Sequence, residues 1–141
     1  IFFVSTGGYD THSSQAPTLT GLHTTLAGAI RAFYDATVEL GVQNDVTAFT
    51  ASDFGRTLAV NGDGSDHGWG AHHFVVGGAV NGNRIVGDIP PPVVNHDQDS
   101  GSGRLIPTTS VEQFAASLAA WFGLTAGEIQ EALPNLGSFS G

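Results

Sequence analysis

The chain has 141 residues, 40% of them apolar, enough for one domain with a core. With 4 Lys+Arg against 13 Asp+Glu its formal net charge is −9, which argues against a nucleic-acid partner; no apolar run reaches the length of a membrane span. There is no cysteine, so disulfides, thiolate zinc sites and thiol nucleophiles are excluded, while six histidines leave a divalent-metal site open.

There is no methionine, and the opening residues lack the pattern of a signal peptide. Ile1-Phe2-Phe3-Val4 reads as a buried strand already under way, so the expectation is a C-terminal part of a longer protein. Ser5 to Gly8 ends that strand, and a polar loop with Asp10 and His12 follows. Pro17-Thr18 opens a helix along which Leu19, Leu22, Leu26, Ile30, Phe33, Thr37 and Leu40 recur at helical spacing, and Gly41 stops it. Val46 to Ala51 is a β-rich second strand. Strand, helix, strand in that order predicts a βαβ unit and a parallel sheet.

Ser52 to His73 has little periodicity but many functional groups. Phe74 to Val80 predicts another strand, and Asn81-Gly82-Asn83 a turn into a short return strand at Arg84-Ile85-Val86. Residues 88–104 form a long acidic loop with Pro90-Pro91-Pro92 and several glycines. Its Asp88, Asp97 and Asp99 offer a calcium-binding reading, although the spacing is not that of an EF-hand and His96 beside them reads as solvated. Thr109 or Ser110 caps a helix with Val111, Phe114, Ala115, Leu118 and Trp121-Phe122 on its apolar face, ended by Gly123. A short helix from Glu128 to Leu133 is stopped by Pro134.

Three clusters carry chemistry, each at or after a strand end, where open α/β sheets bind ligands. Gly7-Gly8-Tyr9-Asp10-Thr11-His12 turns sharply out of a strand and presents a carboxylate and an imidazole two residues apart. Both types suit zinc or manganese, though Asp10 could equally bond its own turn. Ser52-Asp53-Phe54-Gly55-Arg56 offers Asp53 as a ligand and Arg56 as an anion clamp; the plainer reading is an Asp53–Arg56 ion pair. Asp66-His67-Gly68-Trp69-Gly70-Ala71-His72-His73 places three histidines in seven positions with glycines between them, which favours metal, with Trp69 able to wall off water. His23, on the first helix, reads as structural. Convergence of such groups fits a two-metal hydrolase, but no nucleophile elbow is present.

These runs, with Phe74 to Val80 and the tail from Ile106 to Phe114, Trp121-Phe122-Gly123 and Pro134-Asn135-Leu136, resemble the C-terminal half of a secreted bacterial family. It is known as domain-of-unknown-function family 1501 and related to sulfatases and alkaline phosphatases. The resemblance implies an α/β fold, part of an alkaline-phosphatase-like sheet with helices on both faces and its N-terminal portion upstream of residues 1–141. It implies a metal-dependent phosphatase- or sulfatase-like hydrolase acting on a small anionic ester, with the nucleophile upstream. One metal would take Asp10, His12 and a later histidine, His67 or His72, with His72 leading and His67 and Asp53 next. The second would take an Asp-His pair where this chain has Asp53-Phe54, so His73 or His67 would have to substitute. Zinc comes first, before manganese or calcium. Twin-arginine export in the family implies a periplasmic or extracellular home. The competing expectation is an inactive assembly protein on the same fold. In either case Ile1 to Val4 needs cover, from the upstream part or another chain.

Overall fold

The computed structural model describes residues 1–139. It is a mixed α/β structure of three helices, one 3₁₀ turn and two small sheets. Helix α1 (Gln15–Glu39) is followed by β1 (Thr47–Phe49), β2 (Gly55–Val60), β3 (Ser65–Gly68), β4 (Val75–Gly77), α2 (Val111–Phe122) and α3 (Ala126–Ala132).

α1 is the helix its periodicity predicts, begun two residues earlier. Its half-buried or buried positions, Leu19, Leu22, Leu26, Ile30, Tyr34 and Thr37, form one stripe at three- and four-residue spacing. The C-terminal end of that stripe packs on Val46, Ala48 and Val76. At its N-terminus no side chain caps the helix. Instead the Gln15 N–H donates to the Asp63 carbonyl at 2.9 Å, so the turn between β2 and β3 satisfies an otherwise unpaired helix donor.

β1 pairs antiparallel with β4, Ala48 opposite Val76. β2 pairs antiparallel with β3, Gly55 opposite Gly68 and Arg56 opposite His67, with a register shift before Val60. The expected parallel sheet is therefore absent among the described residues. Ile1 to Val4 is not a strand: its side chains are 90–101% exposed. An apolar run becomes a strand only against a partner ladder, and Ile1 to Val4 pairs with neither sheet. Arg84 to Val86 is irregular as well. The β2–β3 hairpin was not expected at all.

α2 and α3 start as the caps dictate. Ser110 and Thr125 each accept the N–H of the residue three further on, and Gln113 and Glu128 reach back to complete two capping boxes. Gly123 ends α2 at φ 105°, a left-handed conformation suited to glycine. Phe114 of α2 meets Phe49 of β1 edge to face at 5.8 Å, which docks the C-terminal helices on the first sheet. No helix among the described residues is long and apolar enough to cross a membrane.

The 88–104 segment has one isolated bridge, Asp99 to Leu105, and otherwise irregular backbone. Its glycine-rich part lies along β2, where the N–H groups of Leu58 and Ala59 donate to Gly103 and Ser102 carbonyls at 3.1 and 3.2 Å. Gly101, Ser102 and Gly103 all have positive φ. That curl turns the Gly101 and Gly103 N–H groups onto Asp99 Oδ1, at 2.8 Å each, while the Asn95 N–H donates to Oδ2 at 2.8 Å. Asp99 thus organises its own loop. The Asn95 N–H, with those of Gly101 and Gly103, holds its carboxyl below the usual aspartate value.

A carboxyl lowered on folding stabilises the fold above the pH at which the unfolded chain titrates, and that contribution disappears as pH falls through the native value. The Gly101 and Gly103 amide resonances should therefore hold steady below the range where a free aspartate titrates and then move together. A common midpoint at or above the ordinary aspartate value would contradict the cradle.

Candidate metal centre

Two segments distant in sequence build one cluster. Asp10 and His12 come from the loop before α1, and His67 comes from β3. One ligand atom from each, all within 4.8 Å of one another, could hold an ion. Asp10 Oδ1 is hydrogen-bonded to His67 Nε2 at 2.7 Å and lies 2.9 Å from His12 Nε2. An ionised carboxylate only accepts, so in its hydrogen bond His67 presents an Nε2–H to it. The two imidazoles stack, with centroids 5.1 Å apart. Phe54 stacks on the other face of His67 at 4.0 Å with planes 2° apart.

Arg56 ties the segments together. Opposite His67 in the hairpin, it shares that residue's face. Its guanidinium donates to the Ser65 carbonyl at 2.7 Å, the Tyr9 carbonyl at 2.6 Å and Asp10 Oδ1 at 3.1 Å. It also lies 5.1 Å from the Phe54 ring centroid. With the side chain only 17% exposed and its fork engaged by the protein, Arg56 braces the site and is not presented as an anion clamp. Its ion-pair partner is Asp10, not the Asp53 expected from the local sequence. The His67 hydrogen bond, then Arg56, then the charge of His12 hold the Asp10 carboxyl below its ordinary value, against a partial desolvation.

Close backbone approach completes the arrangement. The Ser65 N–H donates to the Thr11 carbonyl at 3.4 Å, and the Ser65 hydroxyl to Gln15 Oε1 at 2.7 Å. Thr11 and Ser65 are 4% and 2% exposed. A Cβ on Gly64 would run into the His12 carbonyl group and Ser13 N, so only glycine lets the hairpin turn sit against this loop. Gly55 stands against the Gly70 carbonyl in the same way.

Asp53, His72 and His73 do not join the cluster. Asp53 and His72 are exposed. His73 lies on the β1–β4 side, its Nδ1 3.3 Å from the Thr50 hydroxyl and its ring stacked on Phe114 at 6.3 Å. Burial, and then the neighbouring His72, push its pKa down. Trp69 is 70% exposed and walls off nothing. His23 lies beside the Tyr9 ring at 6.1 Å, and His96 Nδ1 accepts the Gln98 N–H at 3.3 Å, a turn contact within the acidic loop. Sequence reasoning missed Phe54 as a stacking wall and Asp66, whose Oδ1 lies 3.5 Å from His12 Nδ1. Asn61-Gly62-Asp63-Gly64, a tight-turn sequence, was the signal for the hairpin that brings them in.

The chain belongs to a family described only as a protein of unknown function, DUF1501, whose model matches residues 1–133. No curated protein and no solved structure matches it.

Gly64→Ala should separate the hairpin from the His12 loop. Amide exchange at Thr11 and Ser65 should accelerate, and stability should fall by more than about 1 kcal/mol. Gly21→Ala, with open space around its Cβ on α1, should be neutral or stabilising by up to about 1 kcal/mol. Equal effects of the two in urea unfolding would refute the close approach.

Proposed function

We propose that the chain is the metal-binding part of a metal-dependent ester hydrolase, phosphatase- or sulfatase-like, with Asp10, His12 and His67 as the ligands. The observation that carries this is the donor set itself. Two imidazole nitrogens and one carboxylate oxygen converge from two segments, with open solvent on the remaining side. Two histidines and a carboxylate are a standard catalytic set for zinc and for other borderline divalent ions, because they leave positions free. The present Nε2 to Oδ1 separations are hydrogen-bond distances, and an ion among the three would take the place of those bonds.

A cation held there supplies Lewis acidity, drawing charge from the oxygens of a phosphoryl or sulfuryl ester. The chain's own residues orient that cation. His67 and Arg56 hold the Asp10 carboxyl below its ordinary value, Phe54 and His12 fix the plane of His67, and Gly64 fixes the height of the His12 loop. Zinc suits the nitrogen-rich set best, ahead of manganese or calcium. In this reading the alkaline-phosphatase-like sheet is completed by upstream residues, which carry the nucleophile, and the protein works in the periplasm or outside the cell.

A second reading, a catalytically inactive assembly protein, draws on a different observation. Among the described residues no apolar side chain is buried, and Ile1 to Val4 is bare. Such surfaces call for cover by the upstream part of the protein or another chain.

Zinc titration by calorimetry separates the two. Stoichiometric binding to the wild type, abolished in His67→Ala and His12→Ala and retained in His72→Ala, is expected. Zinc-dependent cleavage of a phosphate or sulfate monoester by the full-length protein would complete the case. A wild type that takes up no zinc would leave the assembly reading.

A further inference from the structure

The imidazole of His12 has a partner beyond the ligand cluster. Its Nε2 faces Asp10, while its Nδ1 lies 3.5 Å from Asp66 Oδ1. That same oxygen accepts the Asn61 Nδ2–H at 2.6 Å. Asn61 opens the tight turn and Asp66 stands near the start of β3, so the hairpin closes over five residues to hold one carboxylate. The Asp66 N–H donates in turn to the Thr57 hydroxyl at 3.2 Å, which fixes its backbone.

A histidine that ligates through Nε2 must carry its proton on Nδ1, and that N–H needs an acceptor to set the tautomer and the ring plane. His67 is oriented differently, by the Phe54 and His12 rings on its two faces. Among the described residues His12 has one ring neighbour, His67, so its orientation also rests on the partners of its two nitrogens, Asp10 at Nε2 and Asp66 at Nδ1.

We propose that Asp66, clamped by Asn61, is a positioning residue that holds His12 with its proton on Nδ1 and offers Nε2 to the cation. This rests on the metal-site reading above and extends it from three ligands to a relay of Asn61, Asp66 and His12. The relay makes the hairpin turn part of the metal site, although neither Asn61 nor Asp66 touches the cation.

The test is zinc titration of the whole protein with Asp66→Asn, Asp66→Glu, Asn61→Ala and, as a charge-matched control in the turn after α1, Asp45→Asn. Asp66→Asn should bind zinc about ten-fold or more weakly. Asp66→Glu should recover part of that loss, and Asp45→Asn should match the wild type. Nitrogen-15 spectra of the zinc-loaded wild type should show His12 protonated at Nδ1 alone. In the zinc-free wild type His12 should already favour that form, and in zinc-free Asp66→Asn the preference should be lost while His67 is unchanged. Should Asp66→Asn lose its helical circular dichroism, Asn61→Ala decides, since it keeps the carboxylate and removes only its clamp; several-fold weaker binding is expected. Wild-type affinity with an unchanged His12 tautomer in these variants would overturn the relay and leave the metal site standing. A wild type that takes up no zinc would overturn the metal site, and the relay with it.

Discussion

The guanidinium of Arg56 is the interaction on which the site depends. Two segments more than fifty residues apart must meet, and nothing in the local sequence of either draws them together. Arg56 does so with a planar fork that reaches the Tyr9 carbonyl and Asp10 on one segment and the Ser65 carbonyl on the other. Its geometry suits the task, since one rigid group sets two directions at once. The arrangement also has a cost. Arg56 Nε is buried without a partner, and the charge is balanced by Asp10 alone. Such an arrangement persists where the neighbouring carboxylate must stay ionised and aimed.

The rest of the molecule is held less tightly than the site. The apolar stripe of α1 is only half-buried, and Phe49, Phe74, Trp121 and Phe122 remain largely exposed. Polar stitches around Gln15, Ser65 and Thr11 are better enclosed than any leucine. Hydrophobic burial normally supplies the driving force that lets a fold hold costly polar geometry. Here the polar geometry is present while the apolar surfaces face outward. The two observations agree if those surfaces are completed by further protein, and the enzyme and assembly readings share that requirement.

What was legible in the sequence divides along physical lines. α1, α2 and α3 were readable because helix signals are local: the three- and four-residue spacing from Leu19 to Thr37, the cap Ser110, the stops at Gly123 and Pro134; the Thr125 cap goes unread, so the sequence reading starts α3 at Glu128 where the helix starts at Ala126. The sheets were not, because pairing is a non-local choice. Ile1 to Val4 has strand composition without a ladder, whereas Ser65-Asp66-His67-Gly68 has poor strand composition and gains one from Gly55 to Val60 across a turn of Asn and Gly. Asp10 and His12 were visible as candidates from their glycine turn. The choice between His67 and His72 was not visible, since it hangs on where β3 ends. His67 is opposite Arg56 within the ladder, and His72 lies beyond Gly68 in irregular chain. The Asp53–Arg56 pair failed for the same reason: once Gly55 enters a strand, register directs Arg56 toward His67 and Asp10.

Phe54 bears on how many cations the proposed site would hold. In the proposed hydrolase reading, an Asp-His pair after the second strand would serve a second metal. This chain has Asp53 and then Phe54 at that place. A phenyl ring cannot ligate, and here it lies flat on His67 at 4.0 Å. The remaining donors do not fill the gap: Asp53 is outside the cluster, and His73 is engaged by Thr50 and Phe114 on the other sheet. With Asp53 and His73 outside the cluster, the donors Asp10, His12 and His67 would suit a single cation in the proposed reading. Tight control of that single site then matters more, and the Arg56 brace on Asp10 and the Phe54 stack on His67 are placed to provide it.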